Sequence, residues 1–103
     1  MIRLCRTSEI PPGGILCVEP EGLPSIALYN VGGAFYATDD RCTHAAASLS
    51  EGILEGPVIE CPFHGGTFDV RTGEALGPPC TTPVRTYNVS VLGDELWIEE
   101  APG

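Results

Sequence analysis

Apolar residues in this chain come in short runs, and glycine or proline closes most of them. Ile15-Leu16-Cys17-Val18, Ile26-Ala27-Leu28-Tyr29 and Ala34-Phe35-Tyr36-Ala37 are such runs. Pro11-Pro12-Gly13-Gly14, Pro20-Glu21-Gly22 and Gly32-Gly33 bound them. Runs this brief suit strands, and the residues between them are turn formers. Ile2-Arg3-Leu4 alternates in the same sense, Val58-Ile59-Glu60 runs straight into Cys61, and Thr67-Phe68-Asp69-Val70 follows His64. Asn30 to Gly33 predicts one hairpin. Val84 to Leu92 and Leu96 to Glu100 predict another across Gly93-Asp94. No window carries a convincing helical period. The best candidate is one turn at Ser8 to Ile10, capped by Thr7 or Ser8 and stopped by Pro11. Thirteen glycines and ten prolines in 103 residues fit many short strands joined by many turns. The fold class is all-β, a sandwich or small barrel, in one domain with no repeat, linker or low-complexity stretch.

Charge narrows the partners. Fourteen acidic residues face five arginines and no lysine, for a net charge of -9. That balance argues against nucleic acid and anionic membrane surfaces. It serves solubility, or steers the protein toward basic docking faces. The first ten residues hold no apolar run of signal-peptide length, and no stretch approaches the roughly 18 apolar residues of a membrane span. A cytoplasmic protein is expected, with Cys5, Cys17 and Cys80 as thiols. Cys5 and Cys17 lie in apolar strand runs and read as buried small hydrophobes. Trp97 and Tyr87 read as core anchors, and Asp39-Asp40 as a turn or cap.

The chemistry lies in two pairs. Cys42-Thr43-His44 and Cys61-Pro62-Phe63-His64 use both histidines of the chain, with sixteen residues between His44 and Cys61. A thiolate and an imidazole so close in sequence can turn toward one metal centre, and two such pairs supply four ligands. A closed tetrahedral zinc site is one option. Zinc-finger spacing, however, groups cysteine with cysteine and histidine with histidine, whereas each loop here carries one of each. A 2Fe-2S cluster with two cysteines on one iron and two histidines on the other suits interleaved loops better. Gly65-Gly66 beside the second pair lets the backbone come close to a bound group. Gly77-Pro78-Pro79 reads as a stiff cover that stays out of any strand ladder.

Cys42-Thr43-His44 with Cys61-Pro62-Phe63-His64-Gly65 resembles the Rieske iron–sulfur signature, C-x-H followed by C-x-x-H. The resemblance extends over the length, the strand pattern, both loops and the proline loop. It implies the Rieske fold over residues 1–103, with a basal β part at about 1–38 and 81–103 and a cluster-binding part at about 39–80. It also implies that Cys42 and Cys61 hold a buried iron, and His44 and His64 an exposed one. High-potential members carry an extra cysteine in each loop, at positions that are Ala47 and Phe63 here. They also carry a serine and a tyrosine hydroxyl, where this chain has Gly66 and Phe68. Hydrogen bonds to cluster sulfur stabilise the extra electron, so their absence predicts a potential near the low end of the range, roughly -150 mV.

An oxygenase needs a separate mononuclear iron held by two further histidines and a carboxylate, and no histidine remains. The chain is therefore similar to the ferredoxin components of bacterial aromatic-ring-hydroxylating dioxygenases. In that family the ferredoxin takes one electron from a flavin-containing, NADH-dependent reductase and passes it to the terminal oxygenase. Such a protein is a carrier and not an enzyme by itself, and a monomer is expected. A small Rieske subunit of nitrite reductase is the alternative within electron transfer; a zinc-stabilised interaction module is the alternative outside it. Ala45, Ala46, Leu49, Phe63 and Pro78 are candidates for an apolar docking collar at the histidine tip. Leu49 and Phe63 also read as loop core, and for Phe63 that reading is preferred.

Overall fold

A computed structural model describes residues 2–43, 47–62, 65–77 and 82–99. Its strands are β1 (Ile2–Arg6), β2 (Ile15–Val18), β3 (Ile26–Val31), β4 (Ala34–Asp39), β5 (Ile53–Glu55), β6 (Val58–Glu60), β7 (Thr67–Asp69), β8 (Ala75–Gly77), β9 (Thr86–Tyr87), β10 (Val89–Leu92) and β11 (Glu95–Ile98). They form three antiparallel sheets, ordered β1-β11-β10, β2-β3-β4-β9 and β5-β6-β7-β8. The all-β expectation therefore holds.

Strand β3 explains the layering. Residues 26–30 are all buried, which a strand achieves only when both faces of its sheet are covered. Ile26 and Leu28 pack with Cys5, Ile10, Ala37, Tyr87, Leu96 and Ile98. Ala27 and Tyr29, on the opposite face, pack with Leu49, Ile59, Phe68, Val70, Val84, Cys42 and Cys61. The β2-β3-β4-β9 sheet thus separates two cores, and both cysteines of the ligand pairs share the second one.

The Asn30–Gly33 hairpin forms as expected. Gly32 and Gly33 take φ of +60° and +98°, the left-handed pair that a tight turn between twisted strands demands. The amide group of Asn30 holds the turn twice. Its Oδ1 accepts from Gly33 N–H, and its Nδ2 donates to the Ile10 carbonyl, both at 2.8 Å. The helical turn lies one residue earlier than expected, as a 3-10 turn at Thr7–Glu9. Neither Thr7 nor Ser8 caps it; Arg6 N–H donates to the Glu9 carboxylate at 2.8 Å, and Ile10 leaves the turn for the core.

Four further expectations change. The run Val84 to Leu92 is not one strand: Asn88 divides it, so that β9 joins β4 and β10 joins β11. Val84 lies outside any strand, buried, with its N–H on the Gly73 carbonyl at 2.9 Å. Trp97 is only partly buried, because period-two alternation gives the inner positions of β11 to Leu96 and Ile98; Tyr87 is buried as expected. Cys5 is buried, but Cys17 is exposed. It stands opposite Ala27 on the edge strand β2. Gly77 does join a ladder, as the last residue of β8 opposite Thr67. Cys80, Pro78 and Pro79 lie outside the described residues.

Candidate metal centre

Cys42 and Cys61 occupy equivalent places in two matching loops. In the first, Arg41 and Ser48 form an isolated antiparallel bridge, and Cys42 N–H donates to the Ala47 carbonyl at 2.9 Å. In the second, Glu60 and Thr67 form the last pair of β6 and β7, and Cys61 N–H donates to the Gly66 carbonyl at 2.7 Å. Each loop therefore closes with the same register, the cysteine first inside the closing pair. Cys42 and Cys61 are 2% and 1% exposed and belong to one apolar cluster. His44 and His64 lie outside the described residues, as do Ala45, Ala46 and Phe63.

Both loops are anchored from below. Asp40, a buried acid, makes three backbone links to its surroundings. Its N–H donates to the Ser25 carbonyl at 2.9 Å, its carbonyl accepts from Leu49 N–H at 2.6 Å, and its Oδ1 accepts from Ser50 N–H at 2.8 Å. The carboxylate thus satisfies an N–H of the 3-10 turn Leu49–Glu51, whose N-cap position is Ser48. Leu49 is fully buried beneath the loops, which removes it from the collar and assigns it to the core. Gly52 leaves that turn so close to β6 that a β-carbon would strike the Glu60 carbonyl oxygen. Thr43 Oγ1 donates to the Thr82 carbonyl at 2.7 Å, joining the first loop to the chain that follows the proline loop.

Asp39 works on the other side of the middle sheet. Its Oδ1 accepts from the Tyr87 hydroxyl at 2.5 Å. Burial, and then that hydrogen bond, push the Tyr87 phenol up to about 12. The Arg85 guanidinium lies 5.1 Å from the ring centroid. Tyr29, inside the cluster-side core, shares a 2.9 Å hydrogen bond with Thr38 Oγ1, and burial raises its phenol strongly. Both tyrosines remain neutral hydrogen-bonding struts at physiological pH.

The donor set fits a cluster better than a finger-type zinc site. Two thiols enter from one apolar core, each at the root of a loop whose histidine follows two or three residues later. Equivalent loops, each with one cysteine and one histidine in its sequence, suit a binuclear centre with unlike irons. A family model for the Rieske [2Fe-2S] domain matches residues 1–88. The chain belongs to this Rieske family. The cofactor of the family is a [2Fe-2S] cluster, and the zinc alternative is set aside.

Relatives agree along nearly the whole Rieske chain. The ferredoxin component of the naphthalene 1,2-dioxygenase system of Pseudomonas aeruginosa is 52% identical over 91 residues, 88% of this chain and 86% of the relative. Ferredoxin CarAc of Metapseudomonas resinovorans is 48% identical over 97 residues, 94% of this chain and 91% of the relative. In a solved complex of reduced oxygenase and oxidised ferredoxin of carbazole 1,9a-dioxygenase, the matching chain is 48% identical. It superposes with a TM-score of 0.90, over 94% of this chain and 90% of that one. The Rieske fold follows.

Sequence reasoning found the pairs and missed their supports. Asp40 carried a legible signal, an acid just before the first pair. Gly52 and Thr43 carried none, since both act on backbone that only folding brings near.

Proposed function

We infer that this chain is the electron-carrying ferredoxin of a bacterial aromatic-ring dioxygenase system, delivering electrons to the terminal oxygenase. Identity of about one half to two such ferredoxins, over nearly full length on both sides, carries the conclusion. It also favours this role over a nitrite reductase subunit. In our reading Cys42 and Cys61 hold the inner iron, and His44 and His64 the outer one. The matched, buried cysteines support the first half, and the sequence pattern supports the second. When bound, the cluster supplies a one-electron couple near the low end of the Rieske range.

The residues of the chain hold that centre and tune it. Cys42 and Cys61 bring negative thiolates to the buried side, where Leu49, Ile59 and Phe68 exclude water. Gly66 and Phe68 offer no hydroxyl, which keeps the reduced state less stabilised. Residues 39–80 form the cluster-binding part of one domain in this proposal, resting on a basal part at about 1–38 and 81–103. The β5-β6-β7-β8 sheet, wholly within the second part, supports that division, and the Val84–Gly73 and Arg85–Asp39 backbone links join the parts. The electron donor in this scheme is a flavin-containing, NADH-dependent reductase, and the compartment is the cytoplasm. Ala45, Ala46 and Pro78 remain the proposed apolar collar, with Phe63 read as loop core, on a protein that works as a monomer.

Anaerobic EPR before and after dithionite tests the proposal. A rhombic signal on reduction, with average g below that of all-cysteine 2Fe-2S proteins, is the expected outcome. His64→Cys should lower the potential and alter the spectrum, because a thiolate adds negative charge where imidazole was neutral. An unchanged spectrum in that variant removes His64 from the ligand set.

A further inference from the structure

The β5-β6-β7-β8 sheet has one face in the core and one in solvent. Directly paired residues of neighbouring strands project to the same side. Leu54, Ile59, Phe68 and Ala75 stand in register and face the core. The outer side carries Ile53, Glu60 and Thr67 in one row, and Glu55, Val58 and Asp69 in the next. Ile53 is 59% exposed, the most exposed large apolar side chain among the described residues. With Glu55, Val58, Glu60 and Thr67 it surrounds a shallow hollow of about 90 Å3.

A single exposed isoleucine is ordinary; its place here is not. The row Ile53–Glu60–Thr67 is the last row of the sheet before the loop that begins at Cys61. Glu55 and Glu60, both exposed, frame the hollow. The one arginine near this sheet, Arg71, is tied to Asp69 at 2.9 Å. The face thus offers an apolar centre with a negative frame, contiguous with the proposed cluster site.

We propose that this outer sheet face docks the terminal oxygenase, receiving a surface with an apolar centre and a lysine- or arginine-bearing rim. The proposal rests on the ferredoxin reading above and adds the face and the chemistry of the contact. Opposite charge is what the acidic frame selects. The carbazole complex pairs a ferredoxin of this family with an oxygenase. A partner seated on Ile53 lies beside Glu60, the residue before the proposed ligand Cys61. Weak redox complexes use small interfaces, and one apolar anchor with two charges suits that scale.

The test is stopped-flow reduction of the oxidised oxygenase of carbazole 1,9a-dioxygenase by reduced holo-ferredoxin, at rising ferredoxin concentration and at low and high salt. Glu55→Gln should raise the half-saturating concentration about threefold at low salt and converge with wild type at high salt. Ile53→Ser should raise it at both salt concentrations, since apolar contact is not screened. The limiting rate and the reduced EPR spectrum should be unchanged in both variants. Wild-type half-saturation in both variants, with intact spectra, overturns the docking face. A wild-type protein with an intact spectrum that fails to reduce the oxygenase at any concentration overturns the ferredoxin reading instead, and the docking face falls with it.

Discussion

Gly52 offers a sharp check on how the two cluster loops are held together. Its φ of -83° and ψ of -164° are open to any residue, so alanine meets no conformational penalty there. The obstacle is space. A β-carbon at Gly52 collides with the Glu60 carbonyl oxygen and lies 3.1 Å from the Leu49 carbonyl oxygen. Both are backbone atoms and cannot rotate away. Gly→Ala at a compatible backbone stabilises by about 0.4–1 kcal/mol through the unfolded chain, whereas overpacking costs about 1–3 kcal/mol. The collision is with backbone carbonyl groups of β6 and of the 3-10 turn Leu49–Glu51, so the cost lies toward the upper part of that range. A net loss of about 1–2 kcal/mol should lower Tm by about 5–15 °C for a domain of this size.

The assay is anaerobic melting of the oxidised holo-protein, followed by cluster absorbance and far-UV circular dichroism at one scan rate. Gly22→Ala is the control. Gly22 has φ of +80° and nothing within 4 Å of a β-carbon, so its cost is that of left-handed backbone alone, about 1 kcal/mol. A Gly52→Ala protein melting at or above wild type would refute the steric reasoning and the close approach of the turn to β6.

Three further outcomes are expected. Asp40→Ala leaves the Ser50 N–H without its buried acceptor and should cost about 1–3 kcal/mol in chemical denaturation; Asp40→Asn keeps an acceptor and should cost less. The hydrogen bonds from the Arg71 side chain and backbone hold the Asp69 carboxyl below its ordinary 3.8. A depressed carboxylate stabilises the fold above its unfolded pKa and loses that contribution as pH falls through the folded value. Asp69→Asn should therefore be less stable than wild type at pH 7 and lose less on acidification from about pH 4 to pH 2, read by melts across pH. Gly66→Ser with Phe68→Tyr should raise the midpoint potential in a redox titration, since each hydroxyl can donate to cluster sulfur; no rise would mean that these positions do not face the cluster.

The two Cys-His pairs were legible because their spacing is local. Cysteine and histidine two or three residues apart share a loop in almost any fold, and both histidines of the chain are spent on them. The strand content was legible for the same reason: apolar runs bounded by Gly32-Gly33 or Gly93-Asp94 leave little but hairpins. The short strands β5 and β8 went unread, because three residues such as Ile53-Leu54-Glu55 carry too little alternation to register. Leu49 was ambiguous between collar and core, because one apolar residue in a loop has no period at all.

By itself, then, the sequence determined the class of the fold and singled out the four proposed ligands; through the resemblance, Gly66 and Phe68 predict a potential near the low end of the range. Tertiary structure decided which layer each strand joins and what each face meets. Cys5 and Cys17 sit in similar apolar runs, yet one is buried and the other exposed: Cys5 packs with Ile26, Leu28, Leu96 and Ile98 from two sheets, while Cys17 belongs to neither core among the described residues. Val84 to Leu92 reads as a single run, yet Asn88 sends its halves to different sheets. The matching register of the two cysteine loops joins Arg41 to Ser48 and Glu60 to Thr67 across separate turns, and no local pattern encodes that the two will face one core. Alternation records which side chains share a face; only contacts between distant segments settle whether that face is covered by another layer or left to water.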